Sequence, residues 1–207
     1  MNRPASLWSF FAAATVWFLG LTLVWLPVSP WLSHPAAAMA HIALGNGAKD
    51  WVRKIDKSPG RLEVETRISA AKAVKPGRRA ATEVVVEAKP ASYAYGLPLY
   101  LALLLASRGR HLLGKAIGGY LILLLPQAFS LVFGVLKNIV AVAAGPAALG
   151  VANWQTQAII LAGMFGTLLL PVLAPVVLWL WFERSFLSSL LVEGWLRGIA
   201  TDRRPLE

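Results

Sequence analysis

The sequence predicts a membrane all-α protein. It has about four transmembrane helices, a small β-hairpin-containing loop outside the membrane between helices 1 and 2, and a C-terminal amphipathic helix. Three observations predict this. The run Ala158 to Phe182 has about 25 residues without a charge, enough to cross ~30 Å of hydrocarbon with some tilt. The 207-residue chain is 57% hydrophobic and only 14% charged, with a mean hydropathy of +0.60, which departs from soluble domains toward membrane spans. Of its nine tryptophans, Trp8, Trp25, Trp31, Trp154, Trp179 and Trp181 fall near the ends of apolar runs, where an amphipathic ring anchors at the headgroup level.

Leu7 to Val28 is the first span, following Arg3, so residues 1–28 form an N-terminal transmembrane unit. A secretory signal is the competing reading, because Ala38-Met39-Ala40 has the small-x-small form of a cleavage site. The apolar run is longer than the 7–15 residues of a signal's core, which favours an uncleaved anchor. Residues 29–92 are the one long polar stretch. It opens with a Pro/Ala-rich entry, continues as a basic amphipathic piece around Ala48 to Asp56, and ends in a β-like half. In Arg61 to Ile68, Leu62, Val64, Thr66 and Ile68 share one parity and Arg61, Glu63, Glu65 and Arg67 the other, the period of a half-buried strand. Thr82 to Lys89 is its partner, and Pro76-Gly77, among Lys72, Lys75, Arg78 and Arg79, is the turn. Two strands alone are marginal in water. The hairpin is therefore expected to dock on the membrane face, on the preceding segment or on a partner's sheet edge.

Residues 93–182 form the remaining three-helix membrane region. Ala91 to Ala106 is a short span, Ala116 to Leu136 a long one interrupted by Pro126-Gln127, and Ala158 to Phe182 the last. Pro171 and Pro175 each remove a backbone hydrogen bond, so this last span should kink and pack where neighbouring helices, water or Thr167 satisfy the freed carbonyls. Ile139 to Gln157 is too broken for a span and reads as a short re-entrant or surface helix. Residues 183–207 are read as a cytoplasmic amphipathic helix and a charged tail, with Phe186, Leu187, Leu190, Leu191 and Ile199 at helical spacing. The short loop with Arg108, Arg110 and Lys115 is placed in the cytoplasm by the positive-inside rule, which puts both termini there and the long loop outside.

Chemistry is sparse. With no cysteine there is no disulfide, thiolate nucleophile or cysteine metal site. His34 and His41 alone make a poor metal site, and the starting motifs of metalloproteases, serine hydrolases and P-loop proteins are absent. The net charge of +10 is scattered, with no reader of nucleic acid. Neither a cofactor nor an enzymatic role is expected. The polar group of most interest within a span is Gln127, beside Pro126, as interhelical glue or a substrate contact.

Ser92 to Ser107 (SYAYGLPLYLALLLAS), Asn153 to Trp179, the Leu125-Pro126-Gln127 step and the long β-like loop resemble the small membrane proteins associated with exosortase H. The similarity is sharpest at Tyr95, Gly96 and Pro98, at Pro126 and Gln127, at Trp154 and Gln155, and at Pro171 and Pro175. These nine are the candidate residues for partner contact or helix packing. The resemblance implies a bacterial inner-membrane accessory to an exosortase, an integral-membrane cysteine protease that processes proteins bearing a C-terminal sorting helix. It carries over no catalytic residue. The expected partners are the bilayer and such a membrane protein. The alternative is a small transporter or channel subunit acting as a homo-oligomer, which would need a polar path that the spans scarcely provide.

Overall fold

The computed structural model describes residues 7–58, 60–69, 83–107, 109, 111–143, 149–184 and 188. Helix α1 is Leu7–Leu32 and α2 is His34–Gly47. Strands β1 (Val52–Ser58), β2 (Arg61–Ser69) and β3 (Glu83–Ala88) follow, then a 3-10 turn at Pro90–Tyr93. Helix α3 is Gly96–Ala106, α4 is Leu112–Val142 and α5 is Asn153–Met164. A π-helical turn at Phe165–Leu169 leads without a break into α6, Leu170–Phe182.

Three helical stretches are long and apolar enough to cross a membrane: Trp8–Leu32, Leu112–Val142 and Asn153–Phe182. The short span expected over Ala91 to Ala106 is present as an apolar helix shorter than the other three. Its helix begins only at Gly96, after the 3-10 turn, and its 11 residues reach about 16 Å, half of a hydrocarbon core. It is buried between α1 and α6 and runs from Tyr93, against Gly134 near the sheet end of α4, through Ser107 to Gly109, against Glu183 at the other end.

Helix α4 has 31 residues and is about 46 Å long, more than the hydrocarbon needs. Its final turns leave the span and enter a second core. Leu131, Val135, Ile139 and Val140 pack there with Ala37, Ala40 and Leu44 of α2 and with Val52, Leu62, Val64, Val86 and Ala88 of the sheet. The parity read from β2 holds: Leu62, Val64 and Thr66 are buried, while Arg61 and Arg67 face out. β2 pairs antiparallel with β3 as expected, and docks on the preceding segment, one of the three foreseen options.

Three expectations are corrected. The Pro/Ala-rich entry is helical from His34, because Pro35 in the first turn needs no N–H donor and the following alanines are strong helix formers. Half of the basic piece is strand β1, so the hairpin is a three-stranded sheet of order β1-β2-β3. Third, the described part of Ile139 to Gln157 continues α4 through Val142 and begins α5 at Asn153. Residues 144–148, the expected turn over Lys72 to Arg79 and most of the C-terminal amphipathic helix lie outside the described residues.

The tryptophans divide. Trp8, Trp31, Trp154 and Trp181 are exposed, as anchors should be, whereas Trp179 is buried and stacked on Phe10 with ring centroids 5.5 Å apart. That stack closes α1 against α6.

Close packing rests on glycine at α4. A Cβ on Gly119 would collide with the Tyr100 ring, while one on neighbouring Gly118 would meet nothing within 4 Å. Gly119→Ala should therefore destabilise the protein by about 1–3 kcal/mol through overpacking. Gly118→Ala should leave stability equal or raise it by ~0.5–1 kcal/mol through helix propensity. Thermal melts of both variants in one detergent check this, and equal shifts for the two would contradict the packing.

Candidate functional site

Five of the nine candidate residues meet. Gly96, Pro126, Gln127, Pro171 and Pro175 line one small pocket among α3, α4 and α6, together with Tyr93, Leu123, Ser130, Leu170 and Ala174. Space for the centre of a water molecule there is about 10 Å3, room for about one water.

The prolines explain the shape. Pro175 has no N–H to give to the Pro171 carbonyl, which therefore lacks its usual donor within the helix. Gly96 lies directly against that carbonyl, and a Cβ there would also be 2.9 Å from Pro175 Cγ. A side chain at position 96 would push α3 off α6. Pro171 in turn would clash with an α-helical turn before it, and the π-helical turn relieves this by moving the Leu170 N–H to the Phe165 carbonyl. The expected role of Thr167 is corrected: its hydroxyl donates to the Gly163 carbonyl, with a second contact to Met164 O at 3.3 Å, and so stitches the π turn rather than a proline's freed carbonyl. The side-chain remedy does operate in α1. Pro30 frees the Leu26 carbonyl, and Ser29 Oγ donates to it at 2.9 Å.

Gln127 is 6% exposed and its Oε1 has no hydrogen-bond partner among the described residues. Ser130, one turn on, donates its hydroxyl to the Pro126 carbonyl at 2.8 Å and is spent there. The pocket is thus rich in acceptors, and an entering N–H or O–H would find Oε1 waiting.

The remaining candidates lie elsewhere. Pro98 is buried in the first turn of α3, and half-buried Tyr95 precedes that helix. Gln155 caps α5 by accepting the Ala152 N–H at 3.0 Å. Trp154 stands 69% exposed on that same first turn, available to lipid or to another chain.

A second polar cluster was not foreseen as a unit. Lys115 at the start of α4 and Glu183 just past α6 are 2.5 Å apart, with the carboxylate 5% exposed and the ammonium 24%. The Tyr100 hydroxyl donates to the Lys115 carbonyl at 2.7 Å. A Cβ on Gly109 would lie 2.9 Å from Glu183 Oε2, so the Gly109 backbone lies against the carboxylate. Lys115 and Glu183 both read from sequence as span-end charges. Their pairing across 68 positions carries no local signal.

No three His, Asp or Glu side chains converge as metal ligands among the described residues.

The two clusters should respond oppositely to mutation. Gln127→Leu removes an unsatisfied buried acceptor and should leave the melting temperature unchanged or higher. Glu183→Ala strands a partly buried ammonium and should cost ~1–3 kcal/mol, less than for a fully buried pair because Lys115 is a quarter exposed. Thermal denaturation in detergent, followed by size-exclusion chromatography, reads both.

A family model described as "Exosortase H-associated membrane protein" matches residues 4–186 of the chain. No curated protein and no solved structure matches.

Proposed function

The chain belongs to the exosortase H-associated membrane protein family, and from that premise we propose that it is a non-catalytic accessory of an exosortase-type sorting system in the bacterial inner membrane. Its helices pack beside the membrane protease. Its sheet unit stands on the outer side, and both termini lie in the cytoplasm.

The observation that carries this reading is the rigid join between membrane and sheet. A single helix, α4, belongs to both cores, so a partner gripping the spans holds the sheet unit at a set height and orientation. A scaffold needs that property and a free-standing enzyme does not. The lipid-facing surfaces leave room for the partner: Trp8, Leu19, Leu23 and Trp31 on α1, and Trp154, Leu161 and Leu168 on α5 and the π turn, are all exposed. The pocket beside Gln127 is best read as helix packing, since it takes only about one water and offers no conduit.

Affinity purification of the tagged chain in mild detergent from its native host, with identification of the co-purifying chains, tests this reading. The expected result is one integral-membrane protease in reproducible ratio, and about tenfold less of it with Trp154→Ala if that ring is an interface anchor. Recovery of a homo-oligomer alone would overturn the accessory reading in favour of a transporter or channel subunit.

A further inference from the structure

The sheet unit carries a basic groove that neither the family match nor the accessory reading assigns. It lies between the C-terminal half of α2 and the first half of β1, encloses about 360 Å3, and is lined by His41, Lys49, Arg53, Lys54 and Arg67. Its apolar floor is Val52 and Ile55.

The concentration of charge has a backbone cause. Val52 pairs with Thr66 but Lys54 pairs with Glu65, so Arg53 is an extra residue in β1. Such a bulge breaks the strict alternation of side chains and twists the strand. Arg53 and Lys54 are both exposed as a result, instead of one facing the core. Arg67 is held next to them by its backbone N–H, which donates to the Trp51 carbonyl at 2.9 Å. Lys49 arrives from the end of α2. Asp56 binds Lys54 at 2.6 Å, and Glu65 stands opposite Lys54 across the strands. Four cations against these two carboxylates and Asp50, the exposed neighbour of Lys49, leave the groove net positive.

β1 is also an edge. In the order β1-β2-β3 it pairs on one side only, and among the described residues no strand covers its other side. An open edge offers a row of backbone donors and acceptors to an incoming extended chain. Sheet edges often carry lysine to discourage such pairing. Here the cations line a groove with an apolar floor, which selects a partner by charge.

We propose that this groove binds an extended acidic peptide segment of a partner protein, added as a fourth strand along β1 with its carboxylates against Lys49, Arg53, Lys54 and Arg67. Anionic lipid headgroups are the other source of negative charge, and the geometry disfavours them. The β1–β2 turn rests on α1, where a Cβ on Gly60 would lie 3.3 Å from Pro30 Cβ, so the groove is at the end of β1 remote from that span. A phosphate would also leave the strand edge unused.

The test uses the full chain in nanodiscs of zwitterionic lipid and a fluorescent ten-residue peptide of alternating Glu and Val. The proposal expects saturable binding that weakens about tenfold or more when each Glu is replaced by Gln. It expects the same loss with Lys49→Glu/Arg67→Glu, no loss with Arg184→Glu at the opposite end of the molecule, and loss when alternate peptide amides are N-methylated. Equal binding of the Glu and Gln peptides overturns it without reliance on any variant's fold. Undiminished binding of peptides N-methylated at either set of alternate amides overturns strand addition. If anionic nanodiscs bind through Lys49 and Arg67 while the peptide does not, the groove is a headgroup site and the proposal fails.

Discussion

The length of α4 is the constraint on which the rest depends. A helix of about 46 Å cannot be buried in ~30 Å of hydrocarbon, so its last turns must find cover elsewhere. The chain supplies that cover from residues distant in sequence: the alanine face of α2 and one face of a three-stranded sheet. Neither would be stable alone, since a small sheet needs something to pack on. The excess of α4 is therefore what makes an outer unit possible, and the indole N–H of Trp51 ties that unit to the segment before α5 by donating to the Leu149 carbonyl at 3.1 Å. On the cytoplasmic reading of the termini, the other end of α4 is fastened by Lys115 to Glu183.

Inside the spans the governing problem is backbone satisfaction. Lipid offers no hydrogen bonds, and five prolines interrupt α1, α4 and α6. Different devices deal with them. Ser29 caps a freed carbonyl in α1, a π turn precedes Pro171, and the bare backbone of Gly96 covers the Pro171 carbonyl. The pocket beside Gln127 is what remains where the prolines of α4 and α6 face one another. That explains why the distinctive residues of the resemblance converge there although the space is too small for a substrate.

Much of this was legible in the sequence, for physical reasons that separate the successes from the failures. Long apolar runs report spans directly, and the parity of Leu62, Val64 and Thr66 reports a strand with one buried face. Proline and glycine at Gly96, Pro126, Pro171 and Pro175 mark places where backbones must adapt to one another, so they pointed to a real junction. The failures are tertiary. The Pro/Ala-rich entry gave no helical signal because Pro35 masks the start of α2, whose alanine face packs on α4. β1 read only as a basic amphipathic piece because its bulge spoils the alternation that identifies a strand. The Lys115–Glu183 pair and the basic groove join residues with no local relation, and only the fold brings them together.

On the proposed reading a protein built this way acts by position, with one core in the bilayer, one outside and a continuous helix through both. Hydrogen exchange of the full chain in nanodiscs, with and without Val64→Ala in the sheet core, tests that claim most directly. If α4 unites the two, the amides of residues 134–142 and those of β1 and β2 exchange as one cooperative unit, and the substitution lowers protection in all of them together. If the sheet loses protection while residues 134–142 keep theirs, the outer unit is a separate appendage and the account of a fixed platform is wrong.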